Sequence, residues 1–315
     1  SCGDPTVERM HILIACLLLA LTLQPAVGAA EISVRDDSGR LVTLPAPAQR
    51  IVSLAPHVTE LLYAAGAGDR LVAVGSYSDH PPAALRLPRI GNHDVIDYER
   101  LLALQPDLVI VWQSGNGART VRRLQALGLP VFVSEPRRLE DIPRTLERFG
   151  RLSGTEESAA TAAAAFRARL ERLAARHAGR PRLRVFYQIW HAPLLTVGGR
   201  QMISQIIELC GGENVFAGLA SLAPQVNLEA VLVADPEVIV ASEQGPQPPA
   251  WLYDWRRWPQ LAAVRENNLY FVPADLIQRQ GPRVLDGAQL LCEQLEEARQ
   301  KRQRQVRGDR RRTGG

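Results

Sequence analysis

Lysine is nearly missing from this sequence: the 315-residue chain has one, Lys301, in a basic C-terminal stretch. A phosphate-binding GKS/T loop is therefore excluded. No GxSxG elbow occurs either, which removes the usual nucleophile turn of α/β hydrolases. Cysteine is scarce, four in all, with no CxxC and no zinc-type spacing. Past residue 30 no segment reaches the ~18 apolar residues of a membrane span. The nearest approach to a dinucleotide loop is VIVWQSGNGARTVRRLQALG, with Glu135 ending the next strand, but Thr120 stands where the third glycine belongs and the loop after Trp112 is too long.

The net charge of +4 is unevenly placed. From Arg299 onward there are 8 basic residues and 1 acid, whereas residues 31–298 hold 28 basic and 30 acidic side chains. A near-neutral body does not suit nucleic acid. Residues 299–315 are expected to be a basic, solvated, disordered tail.

What is present begins with MHILIACLLLALTLQPAVGAA, an apolar run of about a dozen residues ending in small ones. It reads as a signal peptide within a 1–30 leader, cut near Ala29 or Ala30. Cys2 and Cys16 then leave with it. Cys210 and Cys292 remain as the one pair in an oxidising compartment, and a disulfide is expected. Closing a loop of about 80 residues, it would contribute up to about 4.5 kcal/mol in the chain-entropy model.

Strands and helices alternate through the rest. ISVRDDSGRLVTL reads as a hairpin; RIVSLAP, LVAVGSY, DLVIVW and PVFVSEP read as strands with helices between them, the stretch QSGNG being a loop. This gives an N-terminal α/β lobe over 31–152. SGTEESAATAAAAFRARLERLAARHAGRP, opened by a Ser153-to-Glu156 capping box and closed by Gly179 and Pro181, predicts one helix of ~23 residues and ~35 Å within 153–180. A second α/β lobe follows over 181–298. The expected fold is two α/β lobes with mostly parallel central sheets joined by one long rigid helix.

One pattern occurs twice. In ERLLALQPDLVIV and EAVLVADPEVIV, Glu99 and Glu229 each precede a proline by seven positions, and each follows a capping residue, Asp97 or Asn227, by two. Both carboxylates belong to a first helical turn, and the chain reads as a whole-lobe pseudo-repeat.

RIVSLAPHVTELLYAAG, SYSDHPP, YERLLALQPDLVIVWQSGN, ELCGGENVF, APQVNLE and DLIQRQGPR, spread over about 48–297, resemble the periplasmic receptors of ABC importers for iron complexes, haem and cobalamin. Within that group the similarity is strongest to the cobalamin-binding receptors. The resemblance implies a helical-backbone periplasmic binding protein, a monomer in the periplasm and not an enzyme, with no cofactor and no nucleic-acid partner. Its implied partners are a transported corrinoid and a permease dimer with its ATPase, onto whose arginines Glu99 and Glu229 would dock.

Ligands in open α/β sheets lie beyond the carboxyl ends of the strands. Pro56, Tyr77, His93, Trp112, Asn116, Trp190, Asp275 and Arg279 are expected there. Tyr77, Trp112, Asp275 and Arg279 match ligand contacts of the cobalamin receptors, although Asp275 and Arg279 at helical spacing also suit a simple ion pair. Those receptors carry aromatics where this chain has His93, Ala223 and Leu276. A haem, iron-complex or divalent-metal receptor is the alternative within the fold, since His57, His80, His93 and His191 fall on the cleft side. They lack local ligand spacing, and no metal is assigned. An anionic siderophore would call for an arginine cluster, and among the arginines only Arg279 is expected in the cleft. A secreted α/β enzyme is the alternative from another class.

Overall fold

The structure is a computed structural model that describes residues 31–92 and 95–313, with side chains to Val306. The expected leader and His93 lie outside the described residues.

Asp36 starts the fold. Its Oδ1 accepts from the Ser38 and Arg40 amides at 2.9 Å and Gly39 takes φ +85°, so β1 (Ile32–Arg35) folds back onto β2 (Leu41–Leu44) as an antiparallel hairpin. Next come β3 (Ile51–Ser53), α1 (Pro56–Ala64), β4 (Leu71–Val74), α2 (Tyr98–Ala103), β5 (Leu108–Trp112), α3 (Gln113–Ala126), β6 (Val131–Ser134) and α4 (Asp141–Ser153). The strands pair in the order β4-β3-β5-β6, all parallel. Their near-continuous apolar runs are buried on both faces, as helix-covered parallel strands require.

After α5 (Glu156–His177) the second lobe is built from β7 (Leu183–His191), β8 (Leu194–Thr196), α6 (Met202–Leu209), β9 (Gly212–Asn214), α7 (Leu228–Ala234), β10 (Val238–Ala241), α8 (Ala262–Arg265), β11 (Leu269–Phe271), α9 (Ala274–Ile277) and α10 (Val284–Thr313). Its sheet runs β11-β10-β7-β8 with β9 also on β7, and only the β7–β8 pair is antiparallel. Two mostly parallel sheets on one long helix are thus what the chain forms.

The 22 residues of α5 span about 33 Å. Small residues let this helix lie close to α4: a Cβ on Gly150 would come within 2.3 Å of the Ala159 Cβ. Phe166 and Leu173 extend the apolar contact, and a single buried cluster joins Val58 and Leu61 of the first lobe to Ile206 and Leu295 of the second. Cys210, just beyond α6, is bonded to Cys292 on α10, 82 positions away.

Three local expectations are corrected. Ser153 does not open α5; it ends α4, donating to the Phe149 carbonyl at 2.7 Å, and Thr155 precedes α5 with its hydroxyl on the Ala65 carbonyl. The helix α4 is not among the expected elements, although Ile142, Leu146, Phe149 and Leu152 give it one buried apolar face. Residues 113–116 are not a loop but one helical turn, which breaks at Gly117 (φ +74°) before α3 continues. The basic tail does not begin at 299, since α10 runs on to Thr313. Arg299 is 2% exposed and donates to the carbonyls of Pro181, Cys210 and Gly211 at 2.9, 2.6 and 2.9 Å. Lys301 reaches Glu297 and Arg302 reaches Glu237, so these charges are paired on the second lobe.

Candidate functional site

Two polar bridges join the lobes beyond the carboxyl ends of their strands. The first lies at the β4 and β11 edges. Glu60 on α1, 4% exposed, takes Arg283 through two hydrogen bonds of 2.7 and 2.9 Å and Arg279 through one of 3.1 Å. Arg279 also donates to Asp79 at 2.7 Å and to the Tyr77 carbonyl at 3.4 Å, and its Nη2 lies 2.8 Å from Asp275. Burial works against the Asp79 charge, but hydrogen bonding and attraction from Arg279 outweigh it and hold that carboxyl below the usual range. The second bridge lies at the β6 and β8 edges. Gln205 on α6 accepts from the Leu139 amide at 2.9 Å and donates to both Glu140 oxygens at 3.0 Å.

Aromatic side chains stand between the bridges. Trp112 ends β5 and is half-buried; Asn116 Oδ1 accepts from its amide at 2.8 Å, and the His57 ring meets it edge-on at 5.2 Å. Gly115 is required beside it, because a Cβ there would fall 2.0 Å from the indole. His57, 3% exposed, has a buried Nε2 without a partner among the described residues, and burial, then Arg279, lowers its pKa to about 3. It is neutral at any ordinary pH. Tyr77, at φ +67°, is 71% exposed. Trp190, next to last in β7, is 41% exposed, its Nε1 on the Ala192 carbonyl at 2.9 Å.

Beside Trp190 lies a second aromatic feature. His191 stacks on Trp251 at 5.6 Å, and both line a cavity of about 400 Å³ with Trp255, Trp258, Leu194 and Val226. Trp255 is anchored by Gln188, which accepts from its Nε1 at 2.8 Å. These tryptophans are not among the expected residues, although their spacing in WLYDWRRW (251, 255, 258) is that of one helical face.

Of the expected residues, Pro56, Tyr77, Trp112, Trp190, Asp275 and Arg279 come to this end of the sheets. Asn116 is placed otherwise than expected: it is 6% exposed, with its Nδ2 on the Leu54 carbonyl, so its amide holds Trp112 rather than lining an open wall. Arg279 is present but engaged, its side chain 11% exposed among three carboxylates, and its spacing from Asp275 is indeed an ion pair. The Glu135 carboxylate, weighed as a ribose partner, takes the Ser114 amide and hydroxyl at 2.8 and 2.7 Å. The described residues hold no group of three or more metal-ligating side chains. Arg137, Arg138 and Arg200, none of them expected in the cleft, gather around a cavity of about 520 Å³ beside the Gln205 bridge.

Glu99 and Glu229 lie in the first turns of α2 and α7, capped by Asp97 on the Arg100 amide (2.9 Å) and Asn227 on the Ala230 amide (2.8 Å). Both glutamates are exposed, and neither carboxylate has a partner among the described residues.

Two lobes joined by one long helix, with aromatic side chains and polar bridges beyond the carboxyl ends of their strands, have the build of a solute receptor. The chain belongs to the periplasmic binding protein family, whose model matches residues 51–276. It is similar to the vitamin B12-binding protein of Vibrio cholerae serotype O1, 41% identical over 256 residues that cover 81% of this chain and 92% of that one. The vitamin B12-binding protein of Yersinia pestis (strain Pestoides F) is 40% identical, covering 81% and 89%. The crystal structure of the periplasmic vitamin B12 binding protein BtuF of Vibrio cholerae matches with a TM-score of 0.74 at 40% identity, over 80% of this chain and 98% of that one.

Proposed function

We propose that this protein captures cobalamin or a related corrinoid between its lobes in the periplasm and delivers it to an ABC importer. The carrying observation is the placing of Tyr77 and Trp112 on one lobe and Trp190 on the other, at the carboxyl ends of their sheets, with both lobes bridged at the edges. A corrinoid is a broad, flat, amide-fringed ring, and such a ring is held by aromatic faces and a few hydrogen bonds. The similarity to vitamin B12-binding proteins along most of the chain supports the same ligand class.

In this reading Pro56, Tyr77, Trp112 and Trp190 contact the ligand. Asn116 positions Trp112, and Arg279 with Asp275 holds the cleft's edge. The protein acts as a monomer and catalyses nothing. Residues 1–30 export it and are removed. Glu99 and Glu229 present one carboxylate from each lobe to arginines of the two permease subunits, an arrangement suited to bidentate contact that registers two lobes over one pore. Calorimetric titration of the mature protein with cobalamin, cobinamide, haemin and zinc tests the ligand. Tight corrinoid binding is expected; haemin or zinc binding with cobalamin silent would overturn the reading.

A further inference from the structure

The cavity of about 520 Å³ beside the second bridge has arginines on both walls: Arg137 and Arg138 from the first lobe, Arg200 from the second. The Arg137 guanidinium has no partner among the described residues. Arg200 spends two donors on the Ala220 carbonyl, which leaves its charge uncompensated. Only Arg138 has an acid, Glu140 at 3.3 Å, and that carboxylate is shared with Gln205. The neighbouring Asp141 is occupied by the Arg137 and Arg138 amides and the Arg144 side chain. The space therefore carries an excess of positive charge in the fork geometry that matches phosphate oxygens.

Its position ties it to the cleft. Trp112 is in register with Ser134 on the next strand, and Arg137 follows three residues later; on the other lobe Trp190 is in register with Leu195, on the strand that leads to Arg200. An arm hanging from the rim of a flat ring seated between the tryptophans would enter this space. We propose that Arg137, Arg138 and Arg200 form an anion subsite for the phosphodiester on the nucleotide arm of a complete corrinoid. This rests on the receptor function proposed above. It makes the protein selective for phosphate-bearing corrinoids over those without the arm.

The test is calorimetry with cobalamin, which carries the phosphodiester, and cobinamide, which lacks it. The proteins are wild type, Arg137→Gln, and the triple variant Arg137→Gln/Arg138→Gln/Arg200→Gln, each checked for fold by circular dichroism. Wild type is expected to hold cobalamin about tenfold tighter than cobinamide, with the steeper salt dependence for cobalamin. The triple variant should lose that margin while its cobinamide affinity stays the same. Arg137→Gln, which removes no contact within the protein, should lose about threefold for cobalamin alone. An unchanged cobalamin affinity in the triple variant, or an equal loss for both ligands, overturns the subsite. If wild type takes neither corrinoid, the receptor reading fails by itself, and the subsite is then judged with inorganic phosphate. Millimolar phosphate raising the melting midpoint of wild type but not of the triple variant upholds it, and equal midpoint shifts overturn it.

Discussion

Trp112 is fixed on several sides: His57 meets it edge-on, Gly115 leaves room beside it, and Asn116 pins its backbone. Tyr77 reaches a similar result through its backbone, since a left-handed φ of +67° turns the ring outward at a cost of ~1–2 kcal/mol. Trp112→Ala and Tyr77→Ala should each weaken corrinoid binding by about 1–3 kcal/mol, and unchanged affinity in both, read by calorimetry, would place the ligand elsewhere. His57, packed against Trp112, loses proton affinity on folding. Unfolded, His57 takes its proton near 6.5; folded, burial delays this to about 3. Its contribution to stability is therefore complete above about pH 6.5 and is lost as pH falls through that window. Near pH 5 the loss amounts to about 2 kcal/mol. His177, also lowered by burial, acts in the same direction, so the specific check is His57→Phe. Denaturant midpoints at pH 7 and pH 5 should converge in that variant relative to wild type; an equal acid loss in both proteins would count against the assignment.

At the scale of elements, the doubled helix-to-strand joint goes further than its sequence repeat. Gln105 (φ +47°) and Asp235 (φ +41°) both turn left-handed just before their prolines. Arg50 caps the end of α2 through the Leu104 carbonyl at 2.9 and 2.7 Å, and Arg184 does the same after α7 through the Asp235 carbonyl at 3.2 and 2.9 Å. The paired glutamates inherit this equivalence. Glu99→Ala with Glu229→Ala should leave ligand affinity intact and cost less than about 1 kcal/mol of stability, the range of a helix-dipole contact. Pulldown with the cognate permease and vesicle uptake should both collapse; normal uptake would reduce the glutamates to helix-dipole partners. Strands, joints and the long helix were legible because apolar runs, prolines and caps act over a few residues. The arginine caps were not, since each joins groups about fifty positions apart. The tail misled for a related reason: its charge suggested solvation, yet Leu291, Leu295 and Ala298 carry the buried face of α10 up to Arg299, whose partners lie near residues 181 and 211. In the site, aromatics at strand ends could be read from the sequence, whereas Asn116's buried amide and the cavity joining residue 137 to residue 200 could not.

At the scale of the whole molecule, among the described residues, three ties join the two sheets: α5, the Glu60 cluster at one edge and Gln205 at the other. The Glu60 tie is the costliest to cut, because removing the acid leaves Arg283 without its partner. Glu60→Ala should destabilise the protein by about 3 kcal/mol in urea melts, and a loss under about 0.5 kcal/mol would show the bridge to be incidental. Such ties fix a gap before a ligand arrives, which lowers the ordering cost of binding a rigid ring. A crystal structure of the mature protein with cobalamin tests the central claim most directly. The account predicts the corrin plane between Trp112 and Trp190, with Tyr77 at its rim and the Glu60–Arg283 pair intact. A corrinoid absent from that gap, or seated only in the cavity of Trp251 and Trp258, would contradict it.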